Sequence, residues 1–197
     1  VATLRERLAT GDVRARRANV RAGRGATLLC IVVDASGSMA ARRRMARVKG
    51  ALLGLLRDAY ARRDRVAIVA FRDAEAHVVH VPGAPLEHAA AAIGALRTGG
   101  RTPLAAGLDA ATELIRRERS RDAGARAIAV VLTDGRATDP ATAAAARLGR
   151  SADAVHVVDT EQGAVRLGLA GALAAAAGGS LVALVPSSRS APRRRAA

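Results

Sequence analysis

The sequence predicts an α/β fold: a doubly wound, mostly parallel sheet with one antiparallel edge strand. Short β-rich runs alternate with longer helical patterns rich in Ala, Leu and Arg, the signature of strands joined by crossover helices. The first run, "TLLCIVV", is apolar after its opening Thr, as a strand covered on both faces must be. One gap between runs is too short for a crossover, which marks a hairpin at the sheet edge.

Taken in order, the first strand is expected over 26–34 and is followed by a helix over 41–62. Strands over 65–71 and 76–81 are separated by four residues only, so they pair antiparallel. Helices over 86–97 and 103–120 precede a strand over 127–133, and a helix over 140–150 precedes one over 154–159. Pro103 and Pro140 stand at two of these helix starts, where a missing N–H costs nothing. A last helix, 164–177, and a last strand, 181–185, are split by Gly178-Gly179-Ser180. That break argues against a membrane span over 167–185, although the stretch carries no charge and is long enough. The expected organisation is a basic lead-in over 1–25, one domain over 26–185 and a basic tail over 186–197. The absence of an initiating Met points to a fragment.

Composition narrows the function classes. At 197 residues and 50% hydrophobic content the chain can bury a core, but with 1% aromatics it lacks the stacking platforms that single-stranded nucleic acid requires. The net charge of +15 is concentrated at the ends: residues 1–24 hold seven arginines against Glu6 and Asp12, and residues 186–197 hold four arginines and no acid. Such ends read as solvated tails rather than a dedicated nucleic-acid surface. Cys30 is the single cysteine, which excludes an intrachain disulfide and fits a core position in a cytoplasmic protein. No P-loop surrounds Lys49, the one lysine, and no GxGxxG follows the first strand, so neither nucleotide motif is present.

The chemistry gathers at strand ends, where open α/β sheets bind ligands. The first strand runs into Asp34-Ala35-Ser36-Gly37-Ser38. The alternation lets three oxygens point one way, a set suited to a hard cation. The strand over 127–133 ends in Thr133-Asp134-Gly135, and between the two lies "GGRTPLAAG" with Thr102 before a proline-started helix. Each piece alone is ordinary turn or cap chemistry. His77 and His80 lie three apart on a strand and so on opposite faces, while His88 and His156 are isolated; all four are assigned to surface or core roles. Tyr60 and Phe71 are expected as core anchors. Arg101 and Arg136 flank the proposed site and could steer an acidic partner.

Together the loops closely resemble the von Willebrand factor A, or integrin I, domain, whose metal-ion-dependent adhesion site uses DxSxS, a Thr from a second loop and an Asp from a third. The resemblance spans residues 26–185 and assigns Asp34, Ser36, Ser38, Thr102 and Asp134 as metal ligands, with Mg²⁺ or Mn²⁺ as the cofactor. A finer resemblance, in "RMARVKGALLGLLRDAYARRDRVAIVAFRDAEA", "GGRTPLAAGL" and "LTDGRA", is to the C-terminal domain of D-type magnesium chelatase subunits and cobaltochelatase-like proteins. That family tends to continue "DGRA" with Asn, where this chain has Thr138. The resemblance implies a non-catalytic docking domain that meets an AAA+ ATPase subunit or a porphyrin-binding subunit through a partner Asp or Glu. Two alternatives stand beside it. One is a stand-alone adhesion or scaffold module unrelated to chelatases. The other is a phosphatase with Asp34 as nucleophile, which wants a second acid and a lysine near the phosphate; Ser36 takes the first place and Lys49 lies in a helix.

Overall fold

A computed structural model describes residues 27–37, 39–161 and 166–184, the side chains of 39–44 excepted. The strands are β1 (Leu28–Asp34), β2 (Arg65–Arg72), β3 (Glu75–His80), β4 (Ala127–Thr133), β5 (Ala154–Asp159) and β6 (Ser180–Ala183). They form one sheet in the order β3-β2-β1-β4-β5-β6. Every neighbouring pair is parallel except β2 with β3, as the four-residue gap requires.

Alternation along β1 divides the core in two. Leu28, Cys30 and Val32 face one layer; Leu29, Ile31 and Val33 face the other. The second layer is closed by α1 (Met39–Ala61) and α2 (Leu86–Ala95), through Leu52, Leu56, Ala59, Ala89 and Ile93. The first is closed by α3 (Leu104–Arg121), α4 (Thr142–Ser151) and α5 (Leu169–Ala176), through Leu108, Ile115, Leu148 and Leu173. With so few aromatics, close approach of backbone replaces bulk. An added Cβ on Gly107 would come within 2.4 Å of the Phe71 ring, so α3 rests directly on β2. Burial of this branched and small-residue core supplies the main stabilisation.

The chain winds outward from the middle in both directions: from β1 to β2 and β3 on one side, and from β4 to β5 and β6 on the other. The crevice at the carboxyl ends of β1 and β4 is therefore the switch point, where open α/β sheets hold ligands.

Most expected elements match to within one or two residues. The last helix is shorter: it begins at Leu169, after Gly168 in the left-handed region at φ 67°. Residues 164, 165 and 185, which fall in the expected last helix and strand, lie outside the described residues, as do the lead-in and tail. Pro103 occupies the cap of α3, while Pro140 stands one residue before the cap of α4, Ala141. Phe71 is fully buried, but Tyr60 is a correction: it is 68% exposed. Ala59 takes the core-facing position on that turn of α1, which turns the next residue toward solvent. Among the described residues no helix is long and apolar enough to cross a membrane.

Candidate metal centre

Asp34 closes β1 and begins a tight turn. Its Oδ1 accepts the Ser36 N–H at 2.9 Å and the Ser36 hydroxyl at 2.5 Å, the local side-chain closure that Asp makes at turns. The Ala35 N–H still donates to the Phe71 carbonyl at 3.0 Å, so the turn leaves the sheet held by β2. Two further backbone bonds tie it to the glycine loop: Gly37 N–H to Gly100 O at 3.3 Å and Gly99 N–H to Ala35 O at 3.1 Å. Glycine is favoured at Gly100 by its φ of 78°, in the left-handed region.

These ties bring the second loop over the first. The Thr102 hydroxyl donates to Ser36 Oγ at 2.7 Å. From the other side the Thr133 hydroxyl donates to Asp34 Oδ2 at 2.9 Å and accepts the Gly135 N–H at 3.0 Å. Asp134 begins the third loop, with its Oδ1 accepting the Arg136 N–H at 3.0 Å. Asp34, Ser36 and Thr102 thus form one hydrogen-bonded run, and the charge of Asp134 bears on Asp34. Ser38, the remaining expected ligand, lies outside the described residues. Thr133 was not singled out in the sequence, because its place beside Asp34 follows only from the register of the two strands. Val33 pairs with Leu132 across β1 and β4, so the next residue on each strand is opposite the other.

Burial pushes the Asp34 carboxyl above its ordinary value, and the nearby charge of Asp134 adds to it; the bonds from Ser36 and Thr133 offset this only in part. A carboxylate so placed favours neutralisation by a proton or a cation. The donors fit a hard cation: carboxylate and hydroxyl oxygens are what Mg²⁺ and Mn²⁺ take, with water completing the shell. Among the described residues no three His, Cys, Asp or Glu side chains gather as an alternative metal cage.

The flanking arginines divide. The Arg101 carbonyl accepts the Asp73 N–H at 3.0 Å, which anchors the glycine loop to the β2–β3 turn. The Arg136 guanidinium lies 3.6 Å from the buried Glu161 carboxylate. Glu161 also accepts the Leu167 and Gly168 N–H groups, and these hold its carboxyl below the usual range. Lys49 donates to the Gly94 carbonyl at 2.6 Å, joining α1 to α2, so it offers nothing to a phosphoryl group at Asp34. His77 is exposed and His80 buried, and the His156 ring meets Ser180 Oγ at 2.7 Å.

Comparison with known proteins bears on the family and the fold. The chain is 53% identical over 175 residues to an uncharacterised protein of Mycobacterium tuberculosis, across 85% of this chain and 28% of that protein. It is 38% identical over 137 residues to the magnesium-chelatase 67 kDa subunit of Chlorobaculum parvum, across 70% of this chain and 21% of that relative. The chain therefore spans less than a third of either relative. Its fold is like that of the conserved hypothetical protein BatB from Bacteroides thetaiotaomicron, with a TM-score of 0.64 at 18% identity over 82% of this chain and 91% of that one. The family model for the von Willebrand factor type A domain matches residues 29–136, which carry both ends of the site. The chain belongs to the von Willebrand factor type A domain family.

Proposed function

We propose that this chain is a metal-dependent protein-docking domain of an ATP-dependent magnesium or cobalt chelatase, working in tetrapyrrole biosynthesis toward chlorophyll or cobalamin. The observation that carries the reading is the run Asp34–Ser36–Thr102 at the switch point, with the Asp34 carboxyl pushed up. Kinship with magnesium-chelatase subunits supports the choice of assembly.

In this reading Asp34, Ser36, Ser38, Thr102 and Asp134 hold Mg²⁺ or Mn²⁺, which supplies an electrophilic point for one carboxylate of a partner. The chain's own residues do the rest. Ser36 and Thr133 orient Asp34, and the glycine loop sets Thr102 above it. Hydroxyl donors are neutral, so two acids at best balance a divalent charge and leave affinity for one more anionic oxygen. The partner is the AAA+ ATPase subunit or the porphyrin-binding subunit, presenting Asp or Glu. The domain itself hydrolyses no ATP and inserts no metal.

Capture of chelatase subunits by the immobilised chain, with Mg²⁺ and with EDTA at fixed ionic strength, tests this. EDTA and Ser36→Ala are each expected to release the partner. Capture unchanged by either would contradict metal-bridged docking.

A further inference from the structure

The loop after β4 does more than carry Asp134. Helix α3 starts without a local cap, because Pro103 at its N-terminus has no side-chain acceptor. The Ala105 N–H instead donates to Asp139, 3.1 Å from each carboxylate oxygen, across 34 residues of chain. One residue earlier, Thr138 donates both its N–H and its hydroxyl to the Thr102 carbonyl, each at 3.0 Å. That carbonyl also accepts the Leu104 N–H at 2.9 Å. Three donors thus converge on the peptide of residue 102, and the helix that begins just after it is capped from the same loop.

A peptide held this way has little freedom to rotate, and its side chain inherits the constraint. The Thr102 hydroxyl is thereby aimed at Ser36 Oγ, 2.7 Å away. We infer that Thr138 and Asp139 are positioning residues that fix the Thr102 hydroxyl in the metal centre. The inference rests on the cation reading above. It also links two proposed ligands, since Asp134 and the brace on Thr102 lie within six residues of one loop. Partners outside the ligand shell matter because they set the orientation of the atoms that touch the metal, and their loss typically weakens metal affinity about 10–100-fold.

The test is Mn²⁺ binding, read by electron paramagnetic resonance, with thermal melting in metal-free buffer beside it. The unaltered chain is compared with Thr138→Val, Thr138→Ser, Asp139→Ala and Asp34→Asn. Thr138→Val keeps shape and the N–H bond but loses the hydroxyl bond. It is expected to raise the Kd for Mn²⁺ about 10-fold while its metal-free melting temperature stays close to that of the unaltered chain. Thr138→Ser, which restores the hydroxyl, is expected to recover the affinity. Asp139→Ala is expected to lose affinity as well; should it not fold, Thr138→Val decides. Mn²⁺ bound equally well by the unaltered chain, Thr138→Val and Asp139→Ala, but lost in Asp34→Asn, would overturn this inference alone. No Mn²⁺ binding by the unaltered chain would overturn the cation reading and this inference with it.

Discussion

Asp34 and Glu118 stand at opposite ends of the same sheet and are satisfied in opposite ways. Glu118, near the end of α3, meets Arg65 at the start of β2 and Arg121 at 2.8 Å. Close by, Asp153 takes Arg119 at 2.6 Å and the Ala127 N–H at 2.7 Å. Asp34, at the carboxyl end of β1, takes one amide and two hydroxyls, and among the described residues it joins no ion pair. The titrations diverge accordingly. Burial raises both carboxyls, but the Ala127 N–H and the Arg119 guanidinium outweigh it at Asp153, which ends below its ordinary value, whereas Asp34 ends above. The amino ends of the strands neutralise their acids with the chain's own cations. At the switch point, no cation among the described residues pairs with Asp34.

The largest effect expected from this contrast is on stability. Glu118→Ala should cost about 1–3 kcal/mol, because a buried hydrogen-bonded carboxylate is removed and Arg65 loses its partner. Chemical denaturation in metal-free buffer measures it. Asp34→Asn should instead leave metal-free stability unchanged or raise it by up to about 2 kcal/mol, since a charge disfavoured by burial is removed. A loss as large as that of Glu118→Ala would break the comparison.

A smaller effect is expected in pH dependence. Asp153 has a depressed carboxyl, so the stability it adds is present above the ordinary Asp value of about 3.9 and is lost as pH falls through the depressed folded value. Asp34 has a raised carboxyl, so its ionised form costs stability, and that cost disappears as pH falls through the raised value. Melting curves of Asp153→Asn and Asp34→Asn should therefore approach the unaltered chain from opposite sides on acidification, Asp34→Asn at the higher pH. Convergence from the same side would contradict the assignment.

The smallest expected effect lies between the two ends. Cys30 is fully buried in mid-strand, and burial pushes its thiol up to about 12. Ellman's reagent should leave it untouched in the folded chain and label it only on unfolding. Rapid labelling under native conditions would show that the centre of β1 opens readily.

The strands were legible in the sequence because burial on both faces demands continuous apolar runs, and β1, β2 and β4 carry them. The hairpin was legible from chain length alone. At the site, Asp34 and Ser36 stood out because they end and follow β1, and Asp134 because it follows β4, whereas Thr102 lies between α2 and α3 and drew notice only as a hydroxyl before a proline-started helix. What could not be read was the bracing between loops. Thr133 and Asp139 act across 99 and 34 residues of chain, and Thr138 stood out only as a departure from a family pattern. Such contacts depend on strand order and loop direction, which no local spacing records. Tyr60 failed for a different reason: a large aromatic reads as core, but its helix needs only alanine at that contact.

The central claim is that the carboxyl end of β1 is built to hold a divalent cation, and thermal melting with and without Mg²⁺ or Mn²⁺ tests it most directly. Binding to the folded state alone adds RT ln(1 + [L]/Kd), about 2.7 kcal/mol at a hundredfold excess over Kd. A rise in melting temperature is expected for the unaltered chain and none for Asp34→Asn. No rise at saturating metal, or an equal rise in both, would contradict it.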